Sequence, residues 1–397
     1  MAAMVVMGAG MVIFAAVFTA SVTRRFKMSH LKLRMRAVLY KLAYLAFTLP
    51  PVGSRVLKSG LAKSRLKTSH AETSRTILAV KNEFKDGDNQ IQSDLEKGPE
   101  NSITLISVAF LEDNYAWLIV DYVRGSVAAV DPADAVAVAK AVAAESRRSG
   151  QRLRLTDILV THYHADHAGG NADLAKLEPR IRIHAPANER LFGVPGATNF
   201  VEDGSVIQFG DLEIAVIETP GHTQGHVSYH VPIQVGCERA VIFTGDTLFV
   251  AGAGRFFEGS GEDALRSMKF YRSLHPSTLV CPGHEYTVDN LDFCAWLEPD
   301  RKDILAARQT WARGLRDLRK PTVPVPLEHE FSFNPFLRFD DPDLIAAIPD
   351  AQQRDAESRG EDNVEKTGLM AGVFEDPALL LQAVRDLKDA GSYRVKR

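Results

Sequence analysis

Thr161-His162-Tyr163-His164-Ala165-Asp166-His167 follows the apolar run Ile158-Leu159-Val160 and precedes Gly169-Gly170. The apolar run reads as a buried strand and the glycine pair as a turn. In an extended segment, residues two apart point to the same side, so His162 and His164 can aim at one point. Asp166 and His167 lie past the bend and can aim at a second point nearby. Three imidazoles and a carboxylate so close together make poor core material and poor loop filler, but good metal ligands. A histidine-rich surface turn is the plainer reading. Against it, further ligand sets recur downstream in matching contexts.

Those sets are Pro220-Gly221-His222-Thr223-Gln224-Gly225-His226, Thr244-Gly245-Asp246 and Pro282-Gly283-His284. Gathered together, they give His162, His164 and His222 for one metal, and Asp166, His167 and His284 for another. Asp246, with two carboxylate oxygens, suits a bridge between them. Five imidazoles and two carboxylates favour zinc, with iron or manganese as alternatives, over calcium or magnesium; the absence of thiolate disfavours copper(I) or a cluster. Two cations about 4 Å apart share a hydroxide, so the expected chemistry is hydrolysis. His226 has no metal left to serve and is expected to hydrogen-bond behind a ligand. His184, His230, His275 and His329 read as ordinary surface or strand-end residues, and His30 and His70 lie outside the enzyme.

The 397 residues allow two domains, or one with substantial extensions. Residues 1–71 hold twelve Lys or Arg and no Asp or Glu, so the net charge of −3 conceals an acidic main body. Such a body argues against nucleic acid as a partner. Cys237, Cys281 and Cys294 form no CxxC pair and are odd in number, which fits a reducing compartment.

Met1 to Val22 is uncharged and mostly apolar, and Arg24-Arg25-Phe26-Lys27 follows. At about 1.5 Å per residue this run matches the ~30 Å hydrocarbon core of a bilayer. It has no basic residue before its apolar part, so a membrane anchor is expected in preference to a cleaved signal, with the remainder facing the cytoplasm. A mitochondrial address is the alternative. The run Ala37 to Val52 suits an interfacial or a packing helix equally. The expected organisation is an anchor and basic stretch at 1–80, a linker at 81–101, a catalytic domain at 102–284 and a helical domain at 285–397. Ordered structure is expected to begin near Ile103, with strands and helices alternating as far as Cys281. From Val288 the pattern turns helical: Arg301–Lys320 carries an apolar stripe through Ile304, Leu305, Ala307, Trp311, Leu315 and Leu318. Pro321 to Pro326 reads as a connector, Asp350 to Gly368 as a mobile insertion, and Asp376-Pro377 as the start of a last helix ending near Ala390.

The THxHADH loop, PGHTQGH, FTGDTLF and PGHEYT together resemble the metallo-β-lactamase superfamily, and within it the glyoxalase II (hydroxyacylglutathione hydrolase) family, over roughly Ile103 to Lys388. The resemblance implies an α/β fold, an αββα sandwich followed by a smaller helical domain, and a binuclear centre that cleaves thioesters. It implies the same ligand assignment, with Asp166 also orienting the shared hydroxide. The implied substrate is S-D-lactoylglutathione, giving glutathione and a 2-hydroxy acid. The family's basic residue and tyrosine for the glycine carboxylate fall at Arg255 and Phe257; the phenylalanine cannot supply the hydroxyl. Tyr286 matches a second contact. Arg385 and Lys388, three apart on the last helix, match the terminal basic pair. The N-terminal anchor is similar to that of a membrane-bound branch of the family. Two competing readings are a persulfide dioxygenase with a single iron and a membrane-tethered interaction protein with a weak site.

Overall fold

A computed structural model of the chain describes residues 74–77, 103–189, 193–234, 239–360 and 374–394. The first sheet begins with β1 (Ser74–Ile77), β2 (Ile103–Phe110), β3 (Asn114–Asp121) and β4 (Ser126–Val130). Helix α1 (Ala135–Ser149), β5 (Arg154–Leu159), α2 (Ala165–Ala168), α3 (Asn171–Leu177), β6 (Arg182–Pro186) and β7 (Asn199–Val201) follow. These seven strands lie in sequence order in one sheet, antiparallel from β1 to β4 and parallel from β4 to β7.

Alternation on β3 explains the layering. Tyr115, Trp117 and Ile119 enter the core between the sheets, whereas Ala116, Leu118 and Val120 pack with Val138 and Leu174 of the outer helices. Both faces of the strand are therefore buried, which is why its sequence is a nearly unbroken apolar run. Asp134 caps α1, accepting from the backbone N–H groups of Val136 and Ala137, and Gly150 closes it in the left-handed conformation at φ +68°.

The second sheet takes β8 (Val206–Phe209), β9 (Leu212–Glu218), β10 (Val227–Val231) and β11 (Val241–Gly245). A small hairpin, β12 (Leu248–Phe249) and β13 (Gly252–Ala253), leads to α4 (Gly261–Ser273) and β14 (Leu279–Pro282). The helical region holds α5 (Thr287–Leu297), α6 (Lys302–Asp317), β15 (Val325–Pro326), α7 (Leu327–Phe333), α8 (Pro342–Ser358) and α9 (Pro377–Ala390). The second sheet has the order β15-β14-β11-β10-β9-β8. Tyr229 of β10 faces inward, its hydroxyl donating to Val160 O at 2.7 Å, while Ser228 meets the Tyr271 hydroxyl of α4 at 2.7 Å. Helices outside two facing sheets make the expected αββα sandwich, with a helical region after it.

Several expectations need correction. A strand already stands at Ser74–Ile77, inside the stretch assigned to the anchor region, paired with β2 from Ser74↔Ser107 to Ile77↔Thr104. Four residues are too few for periodicity to reveal. Pro321 to Pro326 is not only a connector, because Val325–Pro326 adds an edge strand beside β14. Helix α8 runs through the first part of the supposed insertion, burying Leu344, Ile348, Ala351, Asp355 and Ala356. Small and acidic residues disguised that stripe as a polar segment. On α6 the buried positions are Leu305 and Ala312, while Ile304, Trp311 and Leu318 are exposed. His184 is buried, and its Nε2 lies 2.9 Å from Asp157 Oδ1.

No helix among the described residues is long and apolar enough to cross a membrane. The anchor, the Ala37 to Val52 run and the linker lie outside the described residues, as do Cys237 and 361–373.

Candidate metal centre

Strands β5, β11 and β14 end at one rim of the sandwich, and the β9–β10 turn lies there too. Cross-links fix these ends to one another. Val227 N donates to Thr161 O at 3.0 Å, Gly283 N to Gly245 O at 2.9 Å, and Tyr115 N to Gly283 O at 2.8 Å. Trp117 Nε1 donates to Pro282 O at 2.9 Å. Glycine is required where backbone meets ligand: a Cβ on Gly283 would stand 2.6 Å from His167 Cε1 and 2.7 Å from Asp246 Oδ1.

Two donor sets converge on this rim. His164 Nδ1 lies 2.9 Å from His162 Nε2 and 3.0 Å from His222 Nε2. His167 Nε2 and His284 Nε2 are 3.3 Å apart, and Asp166 Oδ2 is 3.5 Å from His284 Nε2. Asp246 touches both sets, with Oδ1 3.3 Å from His167 Nε2 and Oδ2 3.4 Å from the Nε2 atoms of His222 and His284. Tetrahedral bonds of about 2.1 Å put ligand atoms ~3.4 Å apart, so these spacings fit shared cations.

Hydrogen bonds behind the rings decide which nitrogen carries the proton. Thr161 Oγ1 donates to Asp131 Oδ2 at 2.7 Å, so it accepts from His162 Nδ1 at 3.0 Å. His167 Nδ1 donates to Asp131 Oδ2 at 2.9 Å, His222 Nδ1 to Arg255 O at 3.0 Å, and His284 Nδ1 to Asp113 Oδ1 at 2.8 Å. Four rings thus turn Nε2 inward, beside two carboxylates. Such a cage demands positive charge, which is the observation by which these residues fit divalent metal ions.

The electrostatics divide along the same line. Burial, reinforced by the neighbouring imidazoles, holds His162 far below the usual histidine value. Burial and His222 push His164 down to about 3. Burial also acts against a charge on His167, but Asp246, Asp166 and Asp131 outweigh it and lift the ring to about 10. At His284 the penalty of burial is likewise exceeded, by Asp246, Asp113 and Asp166. Without a cation, protons on the second pair of rings balance the carboxylates. Burial opposes ionisation of Asp246, yet His284 and His167 keep it ionised well below the carboxylate range.

His226 backs the centre: its Nε2 accepts from Asp246 N at 3.1 Å, while Nδ1 lies 3.0 Å from the hydroxyls of Thr219 and Thr247. Phe257 stacks edge-on against His222 and His164, with ring centroids 5.1 and 6.0 Å away. Tyr286 lies flat on His284, centroids 4.7 Å apart. Arg255 is 55% exposed beside the centre, its Nε 3.3 Å from Asp389 Oδ1. Arg385 and Lys388 share a face of α9, but that face is buried. Arg385 Nη1 donates to Ala253 O at 2.9 Å and Nη2 to Asp389 Oδ1 at 2.8 Å; Lys388 Nζ donates to Asn290 Oδ1.

Sequence reasoning missed Asp131, Asp113 and Asn114. Asn114 Nδ2 steadies Asp166 through Oδ2 and the backbone carbonyl, each at 3.3 Å. Asp131 carried one readable sign, the Asp-Pro pair ending a strand; it sits at φ +50°, an uncommon conformation for a residue with a side chain.

Comparison with known proteins places both halves of the chain. The profile of the Metallo-beta-lactamase superfamily matches residues 110–284, and that of the Hydroxyacylglutathione hydrolase C-terminus matches 285–391. A cytoplasmic hydroxyacylglutathione hydrolase of Arabidopsis thaliana is 40% identical over 242 residues, covering 60% of this chain and 90% of that protein. Hydroxyacylglutathione hydrolases of a Synechococcus species and of Halorhodospira halophila are 41% and 39% identical, over 60% and 64% of this chain and 90% and 93% of theirs. With both halves matched in order and nearly the full length of these relatives covered, the chain belongs to the hydroxyacylglutathione hydrolase family.

Proposed function

We propose that the chain hydrolyses S-2-hydroxyacylglutathione thioesters, S-D-lactoylglutathione among them, to glutathione and a 2-hydroxy acid such as D-lactate. The observation that carries this reading is the inward-facing cage of seven side chains, set against a C-terminal region of the thioesterase type. His162, His164 and His222 would hold one ion and Asp166, His167 and His284 the other, with Asp246 between them. Zinc is the proposed occupant, iron or manganese the alternatives, because the donors are imidazole and carboxylate without thiolate. When bound, such ions acidify water near neutral pH and polarise a carbonyl oxygen.

The chain's own residues do the rest. Asp166 has a side chain 43% exposed, so it can orient the attacking water; Asn114 fixes its rotamer. Phe257 and the stacked Tyr286 wall the centre, excluding bulk water and placing the thioester. Arg255 is the exposed cation for a substrate carboxylate. Arg385 and Lys388 lie behind it and act by shaping the loop and the local potential. The glutathione thiolate leaves without much protonation, since an ordinary thiol has a pKa of about 8.5.

The test is turnover of S-D-lactoylglutathione by the purified full chain with bound metals counted, beside His164→Ala. Turnover no better than that variant would favour the tethered interaction protein, and one iron per chain with oxygen uptake would favour the persulfide dioxygenase. The apolar run of residues 1–22, with basic residues behind it, supports a membrane tether with the enzyme facing the cytoplasm. Mitochondrial placement is the alternative, and cell fractionation separates the two.

A further inference from the structure

The hairpin β12–β13 lies between Asp246 and Arg255, and its backbone is gripped residue by residue from the helical region. Asn334 Nδ2 donates to Phe249 O at 3.1 Å and Gly252 O at 3.2 Å. Asn290 Nδ2 donates to Val250 O at 2.8 Å, Cys294 Sγ lies 3.4 Å from Ala251 O, and Arg385 Nη1 reaches Ala253 O at 2.9 Å. Among the described residues, the hairpin donates back into this grip at Glu330. Ala251 N meets Glu330 Oε2 at 2.7 Å, and the same oxygen accepts from Asn334 Nδ2 at 2.9 Å. Ala251 is fully buried at φ +58°, a conformation an alanine holds only when its surroundings impose it.

We propose that Glu330 is a positioning residue for the thioesterase reaction: by fixing Ala251 it sets the hairpin, and through the hairpin Asp246, which would lie between the two ions, and Arg255, which would face the substrate. The inference rests on the proposed function for what those two residues do. The linkage onward is short. Arg255 O orients His222 through Nδ1 at 3.0 Å, and a Cβ on Gly254 would stand 1.9 Å from Asp246 O. A hairpin displaced by even 1 Å therefore moves a metal ligand and a substrate contact together. Glu330 is fully buried in α7, an expensive place for a carboxyl with no other duty. Its Oε1 has no hydrogen-bond partner, and the guanidinium of Arg308 on α6 bears on it electrostatically.

Glu330→Met keeps the volume and removes the acceptor; Glu330→Gln keeps an acceptor oxygen. For the methionine variant, KM for S-D-lactoylglutathione should rise about tenfold, and Zn2+ should leave in about tenfold weaker chelator. The melting temperature should fall by a few degrees, because the Ala251 N–H and an Asn334 N–H lose their buried acceptor. Glu330→Gln should restore both KM and metal retention to within about threefold of wild type. A methionine variant equal to wild type in both would overturn the proposal. So would losses that track a lowered melting temperature and are not rescued by glutamine. Metal retention is read without turnover, so an inactive wild type would count against the thioesterase reading alone.

Discussion

Asp131 offers the sharpest test of how the cage is wired. Its Oδ1 accepts from Thr161 N at 2.8 Å, and its Oδ2 accepts from both Thr161 Oγ1 at 2.7 Å and His167 Nδ1 at 2.9 Å. Asp131→Asn keeps the volume but puts an amide N–H where two donors already point. His167 relieves the clash by moving its proton to Nε2, the nitrogen that would bind the second metal. Thr161, now receiving a hydrogen, can turn its own toward His162 Nδ1 and reverse that ring as well. Loss of such a partner typically weakens metal binding by about 10- to 100-fold, or roughly 1.4 to 2.8 kcal/mol. Dialysis against graded chelator with elemental analysis reads this directly, and turnover should fall in parallel. Asp157→Asn is the control, because that buried carboxylate holds His184 and Arg182 rather than any of the seven donors. It should lower the melting temperature and leave metal content unchanged. An Asp131→Asn protein as resistant to chelator as wild type would refute the tautomer argument.

Three further outcomes are expected. Burial raises Glu330 from 4.5 to about 7, so the stability it contributes is complete below pH 4.5 and lost as pH rises through about 7. Glu330→Gln should flatten that decline, worth about 3 kcal/mol, and identical pH–stability curves for the two proteins would contradict it. Asp389 sits between Arg255 and Arg385 like a resident carboxylate, so Asp389→Asn should lower KM for the glutathione thioester about threefold at low salt. Its pair with Arg255 is largely exposed, so the effect should fade in about 0.5 M salt; a raised KM would show instead that Asp389 holds Arg255 in place. Metal uptake at neutral pH should release protons from His167 and His284, which carry them in the bare protein. Calorimetry in buffers of different ionisation enthalpy reads that release, and an enthalpy independent of buffer would exclude it.

The proposed metal ligands were legible because each sits in a short motif at the end of an apolar strand, where chemistry and local geometry coincide in sequence. Their supports were not. Asp131 is 36 residues from His167, Asp113 is 171 from His284 and Glu330 is 79 from Ala251. A lone acid in a loop or short helix looks like any solvated acid until the fold brings its partner to it. Strands buried on both faces were visible as apolar runs. Helix α8 was not, because Ala351, Asp355 and Ala356 face inward without looking apolar. Arg385 and Lys388 show the converse: helical spacing gives a common face correctly, but cannot say whether that face meets solvent or backbone.

The short strand Ser74–Ile77 changes how this protein can be trimmed. It shields the outer border of β2, an eight-residue strand rich in β-branched and apolar side chains. A fragment starting at Ile103 would leave that border's amides and carbonyls unpaired and open to capture by another copy. Insolubility of such a fragment would then report a stripped margin rather than an unstable catalytic fold, and a shortened enzyme should start upstream of Ser74.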